Sequence, residues 1–243
     1  MIHASRSRAL VASAVRPLVA DQYPITLPNE YRYAHLSLAL IDAIYSIGVH
    51  YEGTHDTVLR YARHQALSPY HESFSTRPPT EQQEPLSHLL QQYDMWGLEH
   101  MASTVYQNRQ RTSSRSGILK AEAIRRAAEL LDRHQTHYFQ DIPRLIQDQT
   151  FETEFIKIPG QGSGIALSYF WMLTGSDHMI KPDRHIVNFL ARILGLSTVS
   201  TPDAISLLQD VALILQADYP LLTARALDYA IWDAERGSSK IPR

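Results

Sequence analysis

Three glycines at alternate positions and one aspartate nineteen positions beyond them are the residues whose type and spacing could do chemistry in this chain. The glycines are Gly160, Gly162 and Gly164, in the stretch IPGQGSG at 158–164; the aspartate is Asp183, in Lys181-Pro182-Asp183-Arg184-His185. Glycine lets the backbone take positive φ and come close to another surface, so such a turn feeding a helix offers main-chain N–H groups to an anion, most naturally a phosphate. A carboxylate can stabilise a developing cation and orient or activate water. The plainer role for an aspartate after a proline at a helix start is to cap the first turn.

Both features depend on the elements around them. The apolar residues Phe155, Ile156 and Ile158 stop at Pro159, and a second apolar run extends from Ile165 to Leu173, which predicts helix, tight hairpin, helix over 155–173. Asp183 closes a loop at 176–185 and opens a helix at 186–194. Upstream, residues 1–30 predict a short helix or arm, with Pro24 and Pro28 limiting it, and 31–243 predict one helical body. Dense apolar residues at 31–49 predict a largely buried helix, followed by helices at 55–66, at 86–106 with a break near Gly97, and at 118–134. The Pro-, Ser- and Gln-rich stretch 67–86 predicts an irregular connection. Ser200-Thr201-Pro202-Asp203 is a helix-start signature, and two further helices are expected at 201–216 and 221–236. No alternating run is long enough for a sheet, so the predicted fold class is all-α.

The chain has 243 residues, 44% of them hydrophobic and 20% charged, enough for a substantial core. A formal net charge of −2 provides no global positive field, so any nucleic acid would have to be met by a local basic face. Cysteine is absent, which excludes disulfides, zinc–thiolate sites and cysteine-ligated clusters. The apolar runs are too short and broken for a membrane span, and the first twenty residues are too broken for a signal peptide. A cytoplasmic location is the expectation.

Ile158-Pro159-Gly160-Gln161-Gly162 resembles the hairpin of the helix-hairpin-helix DNA glycosylases, the superfamily of endonuclease III, the adenine glycosylases and the 3-methyladenine glycosylases. In that family one helix and a loop separate the hairpin from an aspartate that precedes a histidine and a new helix. Asp183-Arg184-His185 stands at that point, at close to the family's spacing. A small-residue turn leading into Lys120-Ala121-Glu122-Ala123-Ile124 and a long helix is a further likeness, and the resemblance covers roughly 31–195. It implies two helical lobes with the active site between them. Gly160, Gly162, Ser163 and Gly164 would hold a DNA phosphate through main-chain amides, with a monovalent cation at the hairpin carbonyls, and Asp183 would act on a flipped-out nucleotide. Family members that also cut the strand carry a lysine two positions after the second hairpin glycine; here that position is Gly164. The resemblance therefore implies a monofunctional glycosylase, without the lyase lysine and without an iron–sulfur cluster, that leaves an abasic site.

The remaining candidates follow from that reading. Arg109, Arg111, Arg115, Lys120, Arg125 and Arg126 place six positive charges within eighteen positions, a candidate phosphate-contacting surface or else a solvated helix face beside Glu122, Glu129 and Asp132. Lys181 and Arg184 flank Asp183 as further DNA contacts. A flipped base stacks on aromatic rings, for which Tyr45, Tyr51 and Trp171 are candidates, although for at least two of Tyr169, Phe170 and Trp171 the core reading is the stronger. A loop at 44–50 stands where the family inserts a side chain into DNA, with Gly48 at the usual position and His50 or Tyr51 as substitutes. His134 and His137, or His178, Asp183 and His185, have spacings that invite a metal, but no metal signature completes either set, and none is expected. The expected partner is double-stranded DNA, bound by a monomer. The competing expectation is a helix-hairpin-helix DNA-binding or adaptor protein without catalysis.

Overall fold

The computed structural model describes residues 5–49, 51–72, 77–114, 116–146 and 148–238. It is helical throughout: among the described residues there is no strand, only the isolated bridges Tyr33–Tyr70 and Arg111–Leu119. The helices are α1 (Ser5–Gln22), α2 (Leu36–Tyr45), α3 (Tyr51–His64), α4 (Leu86–His100), α5 (Lys120–Arg133), α6 (Gln149–Phe155), α7 (Ile165–Leu173), α8 (Arg184–Leu194), α9 (Thr201–Leu215) and α10 (Ala224–Ser238). Short 3-10 turns at Asn29–Arg32, Thr80–Gln82 and Phe139–Arg144 join them. Among the described residues no helix is long and apolar enough to cross a membrane.

The chain divides into two units, Asn29–Gly175 and the pair of segments Met1–Pro28 and Ser176–Arg243. In the first unit α2 is buried along its whole length and packs against α3, α5 and α7. That is why its sequence carries apolar residues on every face. Its one acidic residue, Asp42, is fully buried and accepts a hydrogen bond from Tyr33 Oη at 2.9 Å. Around the C-terminal end of α2 lie the buried tyrosines Tyr45, Tyr61, Tyr93 and Tyr106; Tyr93 and Tyr106 share a 3.0 Å hydroxyl contact, and Tyr93 Oη donates to the Ala121 carbonyl at 2.6 Å. The break expected near Gly97 is real: Gly97 has φ 74° and ψ 161°, and a π-helical turn, Met101–Val105, follows α4. The connection at 67–86, as far as it is described, is irregular apart from the turn at Thr80–Gln82.

In the second unit α1, α8, α9 and α10 share one core. Val11, Val15 and Val19 repeat every four residues along α1, and Ala204, Leu207, Leu208, Val211, Ala212 and Leu215 form the matching stripe on α9. Ser200 caps α9 by accepting from the Asp203 amide, with Pro202 inside the first turn. Gly195 ends α8 in the left-handed region, at φ 67°.

Candidate functional site

In the first unit, the segment 158–164 makes two linked turns between α6 and α7. The Gln161 amide donates to the Ile158 carbonyl at 2.9 Å, and the Gly164 amide donates to the Gln161 carbonyl at 3.0 Å. Gly160 is required here on two counts. Its φ is +88°, and a Cβ at this position would fall 2.3 Å from Cβ of Thr112, in the turn that precedes α5. Gly162 and Ser163 are exposed at the tip, and among the described residues no carbonyl accepts from their amides. Those two donors, just ahead of the α7 N-terminus, are the arrangement that suits an anion. Gln161 is buried, and its Oε1 has no hydrogen-bond partner among the described residues. That orphaned acceptor fits the small cation implied by the resemblance.

In the second unit, Asp183 is the N-cap of α8. Its Oδ1 accepts from the amides of His185 at 2.8 Å and Ile186 at 3.3 Å. The residue is half-buried, and among the described residues both of its side-chain hydrogen bonds fall on Oδ1. The chain reaches it through a tight turn in which the Asp183 amide donates to the Lys181 carbonyl at 2.7 Å across the buried Pro182. The Lys181 amide in turn donates to Oδ1 of Asp228 on α10 at 3.0 Å. Asp228 is buried, and burial, with Asp183 nearby, holds its carboxyl well above the usual range, an effect only partly opposed by the Lys181 amide.

The other residues singled out by sequence divide sharply. Arg184 is exposed at the start of α8, and Lys181 is half-buried. Arg115 lies outside the described residues, as does His50; Tyr51 is the first residue of α3. Three assignments are corrected by burial. Lys120 is only 2% exposed, and its Nζ donates to the carbonyls of Tyr45 and Ile47, both at 2.8 Å, and to Oε1 of Gln110 at 3.3 Å. It closes the end of α2 and does not meet a phosphate. Tyr45 is fully buried, with its hydroxyl on the Asn108 carbonyl at 3.0 Å, and burial raises its phenol pKa. Trp171 packs between Phe151 and Phe170 in the core. Neither ring is available to stack on a base.

The basic stretch is also largely offset. Arg109 pairs with Glu99, Arg125 with Glu129 at 2.9 Å and Asp94 at 3.2 Å, and Arg126 with Glu122 at 2.5 Å, while Arg111 donates to the Gly117 carbonyl. An open groove of about 360 Å³ beside the hairpin is lined by Arg126, Arg133 and Lys157 together with Glu129 and Glu154. His134 faces Asp148 at 3.4 Å and His137 faces Asp132 at 3.8 Å. Among the described residues no group of three His, Asp or Glu converges on a metal position.

Sequence reasoning passed over Asp228. The signal was present in LDYAI at 227–231, where an acid follows Leu227 and precedes Ile231 on a face otherwise made of core residues. A buried acid on an apolar stripe asks for a partner.

The fold and these two features define an all-helical protein with a glycine hairpin in one unit and a helix-capping aspartate in the other. The chain belongs to a family described as a domain of unknown function (DUF8548), which it matches over residues 9–236. Comparisons with curated proteins and with solved structures return no match.

Proposed function

We propose that this protein is a monofunctional DNA glycosylase that hydrolyses the N-glycosidic bond of a damaged or modified base flipped out of double-stranded DNA. The observation that carries the reading is the state of Asp183: its side-chain hydrogen bonds among the described residues all fall on one carboxylate oxygen, Oδ1, which holds the helix start. The carboxylate is half-buried, not sealed in the core, so the cap leaves it able to take a second role. As the bond between C1′ and the base nitrogen breaks, its electron pair leaves with the base and positive charge grows on the sugar. The Asp183 carboxylate stabilises that charge and orients the water whose oxygen bonds to C1′; the proton that water loses is taken up by the departing base through solvent, leaving an abasic site. Gly162 and Ser163 give their amides to a phosphate. A cation held by the hairpin carbonyls and Gln161 would add positive charge at that phosphate. Gly164 provides no amine at the position of the lyase lysine, so the strand is left intact.

The test is base excision by wild type and Asp183→Asn on a panel of modified duplexes and naturally modified genomic DNAs, with alkali to reveal abasic sites. Asparagine caps a helix as well as aspartate, so this variant removes the charge and keeps the fold. Breaks that appear only after alkali, and fall by about 100-fold or more in the variant, support the proposal. Retained DNA binding with no base released across the panel would replace it with a non-catalytic DNA-binding or adaptor role.

A further inference from the structure

The loop that carries Asp183 is fastened to one face of α10. At its start, Arg225 donates from its main-chain amide to the Asp177 carbonyl at 3.1 Å, and its guanidinium reaches Oδ1 of Asp177 at 2.6 Å. At its end, one helical turn further along α10, Asp228 accepts from the Lys181 amide. Residues 225 and 228 lie three apart and share a face, so one rigid element grips both sides of the loop. Between these points Gln209 of α9 donates to the His178 carbonyl at 2.7 Å. Both polar groups of Lys181's own backbone are thereby engaged: its amide is held by Asp228, and its carbonyl accepts from Asp183 itself.

We infer that Asp228 is a positioning residue for Asp183: by fixing the Lys181 amide it locks the turn Lys181-Pro182-Asp183 and so sets where the Asp183 carboxylate sits. This rests on the glycosylase reading for its catalytic consequence but not for its structural one. Asp228 is buried 4% exposed, so it touches no substrate; it acts through the turn. A catalytic group displaced by about 1 Å loses on the order of 100-fold in rate. A hydrogen-bond acceptor is what the turn needs, and asparagine retains one.

The experiment compares Asp228→Ala and Asp228→Asn with wild type, each first shown by circular dichroism to be folded at the assay temperature. Amide hydrogen exchange at Lys181 is the readout that needs no substrate. The expected result is exchange at least tenfold faster in Asp228→Ala and restored to within threefold of wild type in Asp228→Asn. On whichever DNA the panel above shows to be processed, single-turnover excision should fall 10- to 100-fold in Asp228→Ala, with Kd for that DNA within threefold of wild type, and recover in Asp228→Asn. Unchanged Lys181 exchange in the alanine variant, or excision as poor with asparagine as with alanine, would overturn the inference. If wild type excises nothing from any DNA, the glycosylase reading fails while the exchange comparison still decides whether Asp228 locks the turn.

Discussion

Replacing Lys120 with methionine tests whether the basic stretch ahead of α5 is structural. The ammonium sits 5.8 Å over the Tyr45 ring and donates to two main-chain carbonyls just at and beyond the end of α2, where a helix leaves its last carbonyls without internal partners. Methionine fills much the same volume but donates nothing. Each bond from a charged donor is worth about 1.5–3 kcal/mol, and relief from burying the charge offsets part of the loss, so a net cost of about 2–4 kcal/mol follows. In a chain of this size that lowers Tm by roughly 5–15 °C. Urea denaturation followed by circular dichroism and by tryptophan fluorescence measures it. The reasoning is refuted by the opposite pattern: stability within about 0.5 kcal/mol of wild type, together with a salt dependence of DNA binding flattened by about one phosphate's worth.

Three more outcomes follow from the same contacts. Asp183→Ala should cost about 1 kcal/mol of stability and Asp183→Asn less than about 0.5 kcal/mol, since only alanine removes the cap; equal melting of the two variants would deny Asp183 its place at the start of α8. Gly160→Ala should cost about 2–4 kcal/mol, from its φ of +88° and the contact with Thr112, and a double-mutant cycle with Thr112→Gly should show at least about 1 kcal/mol of coupling. Additive effects would remove Thr112 from the argument. Asp228 holds its proton to a higher pH in the folded chain than in the unfolded one, because burial and Asp183 raise its pKa. Its contribution is therefore complete below about pH 4 and is lost as pH rises through the raised folded value. The stability of wild type relative to Asp228→Asn should fall between pH 4 and pH 8; a difference that does not change with pH would refute the assignment.

Much of the helical framework was legible because it follows from periodicity and punctuation. The dense apolar run around Leu36–Tyr45, the break at Gly97 and the start signature at Ser200 each rest on local physics that the tertiary structure leaves in place. What could not be read was which polar groups lie inside. Lys120 and Arg126 look alike in sequence, each a cation in one basic stretch leading into one amphipathic helix. Their positions on the helix separate them: Lys120 is at the first residue of α5 under the end of α2, and Arg126 lies on the outer face beside Glu122. The aromatic candidates failed for the same reason. Tyr45 and Trp171 occupy helices buried on nearly every side, and a residue type that suits a base pocket also suits a core. The extent of α1 was also understated, since Pro17 sits inside an 18-residue helix whose valine stripe at 11, 15 and 19 packs into the core.

Asp183 shows why a bland reading and a functional one need not compete. Spacing and residue type alone set helix capping against catalysis, as though the carboxylate had one task. Capping engages a single oxygen, Oδ1, with two main-chain amides, and neither bond uses Oδ2. The cap bonds fix the carboxylate's orientation, and the turn closed by its own amide and anchored by Asp228 fixes its position. Preorganisation of that kind is what an aspartate needs in order to stabilise a developing cation without first rearranging. The cap is therefore compatible with the proposed catalytic role, and Asp183→Asn, which keeps the cap and removes the charge, separates the structural role from the proposed one.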